Sequence, residues 1–379
     1  MLDYIPYIIL FLLMFTFSLA EISKLKKSHI NILRIVLLTA LLFFVGLRYN
    51  TGADYGAYTG AFNALPNIEA LGWETGYVAL MKLVKFVFGN YYILQFLASF
   101  VLIYSLNKIY SEYSKYPIYS IVLFVLIFLT SIMMAQVRQS IALSIVVLGT
   151  SYIFKQNLLK YTLVIFIASL FHISAIIAFP LYFLKRKISK SLSIIILLLA
   201  QIFFFIPNVV IDAINLIAVV MPERLEFLVH AYTKNLYARQ AEFGTGLYYI
   251  ASVILCIITL ICTPQRNDKD FFCSNALLVT FVILALSNSV VILSRFLSYY
   301  YVYAIIALVN ILDVKIKDVS IGTTKLLLLI FIFIYYQFPL VTFLTSRSID
   351  VVSGKCLSQT YVPYYNVLIH PHKADFRKE

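Results

Sequence analysis

Apolar runs recur along the whole chain, separated by short polar breaks. Crossing a hydrocarbon core takes roughly 17–25 residues of helix. On that measure the pattern predicts spans at Ile5–Leu19, Ile30–Leu47, Tyr91–Leu106, Ile118–Met134, Arg138–Phe154, Leu158–Leu184, Leu192–Ile206, Leu247–Cys262, Leu277–Leu293, Leu297–Leu312 and Leu326–Leu344. Each is read as helix, because a bilayer offers the backbone no other hydrogen-bond partner. Two polar stretches are too long to be mere connectors: Arg48 to Gly76 and Pro207 to Gly246. Long connections usually work or carry helices of their own. The second alternates charged and apolar residues (PERLEFLVHAYTKNLYARQAEFGTG), which predicts an amphipathic helix on the membrane face. The expectation is an all-α polytopic integral membrane protein, one domain over residues 1–379, with about 10–12 transmembrane helices and two large loops.

Composition agrees. The 379 residues are 62% hydrophobic and 12% charged, with mean hydropathy +0.92. Soluble domains are about 45–50% apolar and about 25% charged, so a cytosolic enzyme and a secreted disulfide scaffold are excluded. A net charge of +13 would point to nucleic acid in a soluble chain. Here lysines retained on the cytoplasmic side explain it, and no nucleic acid is expected. Cys256, Cys262, Cys273 and Cys356 form no metal-type pair and are read as unpaired. The N-terminal run lacks a basic leader and a small-residue cleavage site, so it reads as a retained first span.

Lysine sets the orientation. Lys24, Lys26, Lys27, Lys108, Lys115, Lys155, Lys160, Lys185, Lys187, Lys190, Lys269, Lys315, Lys317 and Lys325 all fall in short connections. Placing those inside puts both long loops outside. Two demands follow. Thr75–Gly89 must not cross the membrane, or the parity breaks. Leu158–Leu184 must enter and return, with His172 at the tip of a broken helix. Arginine behaves differently. Arg34, Arg186 and Arg266 map inside, but Arg48, Arg138, Arg224, Arg239, Arg295 and Arg347 map outside. Such residues are often interfacial anchors. Six on one face point instead to an anionic, membrane-borne substrate, since guanidinium forks grip phosphate bidentately.

Chemistry gathers in few places. The stretch GLRYNTGADYGAY offers Arg48, Asp54 and Tyr55, and Glu74 follows in GWETGY. Arg48 with Asp54 reads either as a phosphate-and-sugar site or as a loop salt bridge. Trp73 reads as an interfacial belt residue rather than a sugar platform. In MAQVRQSIALSI, Arg138 and Gln139 open a helix. A cation there opposes the helix dipole, so Arg138 needs a compensating anion from protein or substrate. His172 lies within an apolar segment, where ionisable groups are functional candidates or are bonded to a neighbouring helix. Arg295 precedes the run Tyr299, Tyr300, Tyr301 and Tyr303, which is read as packing. No acid lies deep in a predicted span, and no nucleotide-binding or metalloprotease motif occurs.

Taken together, RYNTGADYGAY, the following Glu74, VRQSIALSI, FHISA, SRFLSYY and VPYYN resemble, in order and spacing, the EpsG-like, Wzy-type bacterial polysaccharide polymerases. The resemblance runs from about Arg48 to Asn366. It implies a GT-C-like, metal-independent glycosyltransferase of the cytoplasmic membrane, without cofactor. Such an enzyme joins oligosaccharide repeats carried on undecaprenyl pyrophosphate at the outer face, from a lipid-linked donor to a lipid-linked acceptor, in some cases beside a chain-length regulator protein. On that reading Arg48, Arg138 and Arg295 bind pyrophosphate. His172, Asp54 and Glu74 are candidates for the catalytic base, with His172 first because imidazole titrates nearest neutral pH. Tyr55, Gln139, Arg224 and Arg239 are candidate substrate contacts. An O-antigen-ligase-type transferase and a lipid-linked sugar flippase are the alternatives. A flippase would line a path through the membrane with charge, whereas here charge sits at one face.

Overall fold

The computed structural model describes residues 2–23, 25–65, 72–206, 211–213, 215–216, 246–287, 293–315, 319–345 and 360–368. Among these residues the chain is helical, with seven helices long and apolar enough to cross a membrane and five shorter apolar ones. Contacts divide the chain into two compact units. One comprises residues 1–176 and 315–379, the other 177–314.

In the first unit, α1 (Ile5–Ile22), α2 (Lys27–Gly46) and α5 (Tyr91–Tyr113) are long spans. Between α2 and α5 lie the short α3 (Tyr55–Asn63) and α4 (Thr75–Phe88). After α5 come α6 (Pro117–Phe128), a π-helical stretch (Leu129–Met133), α7 (Val137–Leu148), α8 (Thr150–Phe154) and α9 (Leu158–Ser169). At its 14 residues α4 is about 21 Å long, too short for a core of about 30 Å.

Buried polar contacts fix how these helices stand. Glu21, in the last turn of α1, is 7% exposed. Its two carboxylate oxygens accept from the backbone N–H groups of Ile118 and Tyr119, both at 2.8 Å. The free donors at the start of α6 are thus satisfied by another helix. At the opposite end of α2 and α5, Gln95 Nε2 donates to the carbonyls of Gly46 and Arg48, each at 2.9 Å. Strand β1 (Arg48–Tyr49) pairs antiparallel with β2 (Tyr365–Asn366) at this end. Tyr361 and Tyr364 fasten the tail further: Tyr361 donates to Thr130 O and Tyr364 to Phe44 O, both at 2.6 Å. Lys26, Lys27, Lys108, Lys115, Lys155 and Lys160 all lie at the other end, around the α1–α2, α5–α6 and α8–α9 connections. Lys82 and Lys85 on α4 depart from that pattern. The Lys85 ammonium donates to the carbonyls of Phe62, Asn63 and Leu65, closing the C-terminus of α3.

The segment Leu158–Leu184 is broken as expected. After α9 the chain turns at Leu170–His172 and continues as a 3-10 helix, Ile173–Phe183.

The second unit holds α10 (Lys190–Phe205), α11 (Gly246–Cys262), α12 (Asp268–Ser287) and α13 (Ser294–Asn310). The span expected at Leu277–Leu293 starts nearer the N-terminus, at Asp268. The reason is local: Asp268 and Asp270 suit the positive end of a helix, and Asn267 Oδ1 accepts from Asp270 N at 2.9 Å. Tyr299, Tyr300, Tyr301 and Tyr303 are buried, and Tyr300 donates to Ile177 O at 2.7 Å, so the tyrosine run is packing. The last helix, α14 (Ile321–Thr345), belongs to the first unit, where Leu329 O accepts from Tyr119 Oη at 2.9 Å. Most of the expected amphipathic helix at Pro207–Gly246 lies outside the described residues.

Candidate active site

The site grows from the meeting of two helix ends. At the start of α4 the N–H groups of Gly76 and Tyr77 donate to Leu170 O at 2.9 and 3.3 Å. The last turn of α9 thus supplies the acceptor that the first turn of α4 lacks. Gly76 makes the approach possible, since a Cβ there would stand 2.8 Å from that carbonyl oxygen. Glu74 is the N-cap of α4, yet its carboxylate makes no capping bond to its own helix. It is free to turn toward the broken helix.

Glu74 Oε1 lies 2.9 Å from His172 Nδ1 and accepts from Ile173 N at 3.2 Å. Glu74 Oε2 accepts from Arg138 Nη1 at 2.5 Å. Two side chains far apart in sequence, Arg138 and His172, therefore share one carboxylate. The side chains of Arg138, Glu74 and His172 are 22%, 16% and 11% exposed, so the cluster is sheltered but reachable. Burial raises the pKa of Glu74. The His172 hydrogen bond and the Arg138 charge outweigh that and lower it to about 2. The ionised carboxylate can only accept, so His172 Nδ1–H is the donor of the pair. In the neutral ring that leaves Nε2 as the acceptor.

Glu74 is also the anion that Arg138 required at the start of α7. Around it, the Trp73 ring lies 4.8 Å from the guanidinium carbon. Trp73 packs against Tyr58 and Tyr77, with ring centroids at 5.4 and 5.8 Å. The Tyr58 hydroxyl, beside Arg138, has its pKa pushed up by burial.

The other expected residues fall elsewhere. Arg48, read as a pyrophosphate ligand, is 1% exposed. Its Nε donates to Thr51 O at 3.1 Å and its Nη1 to Val45 O at 2.5 Å. Burial lowers its pKa from the ordinary guanidinium value. Arg48 closes the end of α2 and shapes the turn after it, so its place is in the scaffold. Asp54 is the exposed N-cap of α3. Tyr55 is buried, its hydroxyl 3.4 Å from that of Tyr92. Gln139 is 1% exposed on α7. Arg295 is exposed on α13 in the second unit. Arg224, Arg239 and Arg347 lie outside the described residues. Sequence reasoning did not find Gln95 or the role of Tyr361. Both act through backbone carbonyls, which no residue pattern marks.

These features define a polytopic helical membrane protein with a carboxylate–imidazole–guanidinium cluster at one end of its spans. The chain matches the EpsG family model over residues 31–366, most of its length, and belongs to that family. That membership supports a general role in polymerising a polysaccharide. No curated relative and no solved structure matches the chain.

Proposed function

We propose that the protein polymerises lipid-linked oligosaccharide repeats at the outer face of the cytoplasmic membrane. The observation that supports this most is the Glu74–His172–Arg138 cluster, at the end of the first unit opposite its lysine-bearing connections. In this reading the donor is a glycan joined through its anomeric carbon to undecaprenyl pyrophosphate. The acceptor is a hydroxyl at the non-reducing end of another lipid-linked repeat.

Glu74 holds the His172 ring so that Nε2 takes the acceptor proton, in the manner of a general base oriented by a carboxylate. The acceptor oxygen bonds to the anomeric carbon as the bond from that carbon to the pyrophosphate oxygen breaks. The leaving pyrophosphate gains negative charge, which Arg138 stabilises. Direct displacement inverts the anomeric configuration. Asp54 and Tyr55 lie on the same loop system and serve the sugar side of the site. Arg48 holds that loop in shape. Gln139 follows Arg138 on α7. Arg295 as a pyrophosphate ligand, and Arg224 and Arg239 as substrate contacts, are carried by the family resemblance alone.

The test is a strain lacking this protein. It should accumulate single lipid-linked repeats and lose the polymer ladder on gels. Intact ladders that fail to reach their final acceptor would replace the polymerase reading with a ligase.

A further inference from the structure

Arg138 is held by Glu74 and Trp73, with the Tyr58 hydroxyl also beside it. Glu74 takes Nη1, and the Trp73 ring centroid lies 4.8 Å from the central carbon of the guanidinium. Consecutive residues therefore restrain one cation, one by charge and the other through its π-face. Tyr58 and Tyr77 brace the indole in turn. Arg138 Nε is buried and has no hydrogen-bond partner among the described residues. A guanidinium whose plane and one corner are fixed retains a donor set for an anionic oxygen, and planar anion recognition depends on holding that plane.

We infer that Trp73 is a positioning residue, which sets the plane of Arg138 for the phosphate oxygens of the lipid-linked donor; this rests on the polymerase reading above. A belt tryptophan would need only the membrane interface, and a sugar platform would need a ring face left clear for the glycan. The stack on Arg138 and the two tyrosines gives the ring a different task.

The test is a double-mutant cycle on the full-length protein, reconstituted with lipid-linked repeats. Loss of a cation–π contact to a partly sheltered Arg corresponds to about three- to thirtyfold in rate. Trp73→Leu should lose that much in kcat/KM, and Trp73→Phe, which restores a π-face, should recover most of it. Combined with Arg138→Gln, Trp73→Leu should be no slower than Arg138→Gln alone, because coupled residues are not additive.

Trp73 is the chain's one tryptophan, so its fluorescence supplies a readout that needs no turnover. Arg138→Gln should shift its emission and raise its quenching by acrylamide. Unchanged emission, a silent Trp73→Leu, or losses that multiply across the cycle would each overturn the positioning role and leave the polymerase reading standing. A wild-type ladder from Arg138→Gln would take Arg138 out of the site and the inference with it, whereas unchanged ladders in a strain lacking the protein would bring down the polymerase reading.

Discussion

Replacing Glu74 by Gln keeps the side chain's shape and removes its charge. The carboxylate uses separate oxygens for His172 and Arg138. An amide has only one oxygen, so its NH2 must face one of the two donors. A hydrogen bond to a charged group contributes about 1.5–3 kcal/mol. The kinetic effect comes from the part that grows in the transition state, when His172 becomes an imidazolium 2.9 Å from Glu74. A carboxylate-to-amide change behind a histidine base costs about 10⁴-fold in the best-known case. Here Arg138 stays beside the amide, so the expected loss is about 10²–10⁴-fold, or roughly 3–5.5 kcal/mol of barrier.

The assay is polymer formation by protein in liposomes with lipid-linked repeats, normalised to protein content. His172→Gln should lose a similar amount. The double variant should be no worse than either single one, since residues acting as a unit are removed together. Retention of more than about a third of the wild-type rate by Glu74→Gln would refute the dyad, and so would losses that multiply.

The same carboxylate predicts a pH effect on stability. Its pKa is depressed from 4.5 to about 2, so its contribution is full above about pH 4.5 and is lost as pH falls toward 2. Thermal unfolding in detergent should show that acid limb in wild type and a reduced one in Glu74→Gln. Gly76→Ala should displace the Leu170 tip and lower activity at least tenfold, because the added methyl meets a backbone oxygen; ladder synthesis normalised to protein level checks it. Arg48→Ala should reduce the amount of folded protein in membranes, since it leaves buried carbonyls of Val45 and Thr51 without donors, at about 1–3 kcal/mol each. A single cysteine at Asn63, with the native cysteines replaced, should react with an impermeant thiol reagent in intact spheroplasts. Labelling only after lysis would invert the proposed orientation.

Much of the frame was legible because lysine and hydropathy act over whole segments. The lysine pattern required a broken helix at His172, which is present, and the Thr75–Gly89 stretch forms a helix of only 14 residues. The dipole argument at Arg138 anticipated an anion, and the structure supplies Glu74. Less legible were features whose partners are backbone atoms. An arginine beside a turn looks the same in sequence whether it faces substrate or closes a helix end. Only burial and the carbonyls of Val45 and Thr51 identify Arg48 as scaffold. The contact of Trp73 with Arg138 was hidden for a related reason. An interfacial tryptophan is so common that sequence gave no cause to look for the cation packed against it. The start of α12 was misplaced because a hydropathy window discounts the acidic turn that begins the helix.

The pairing of β1 with β2 also has a bearing on biosynthesis. Arg48–Tyr49 leave the ribosome early, while Tyr365–Asn366 and the Tyr361 clasp are made near the end. Until then the turn at Gly52, whose N–H donates to Thr360 O at 2.8 Å, lacks its closing strand. A nascent chain can thread its early helices into the bilayer while this end stays unlatched. The later strand then completes a loop begun by the earlier one, so a polypeptide terminated before Tyr361 would remain inserted but unlatched at the end that carries Glu74, His172 and Arg138.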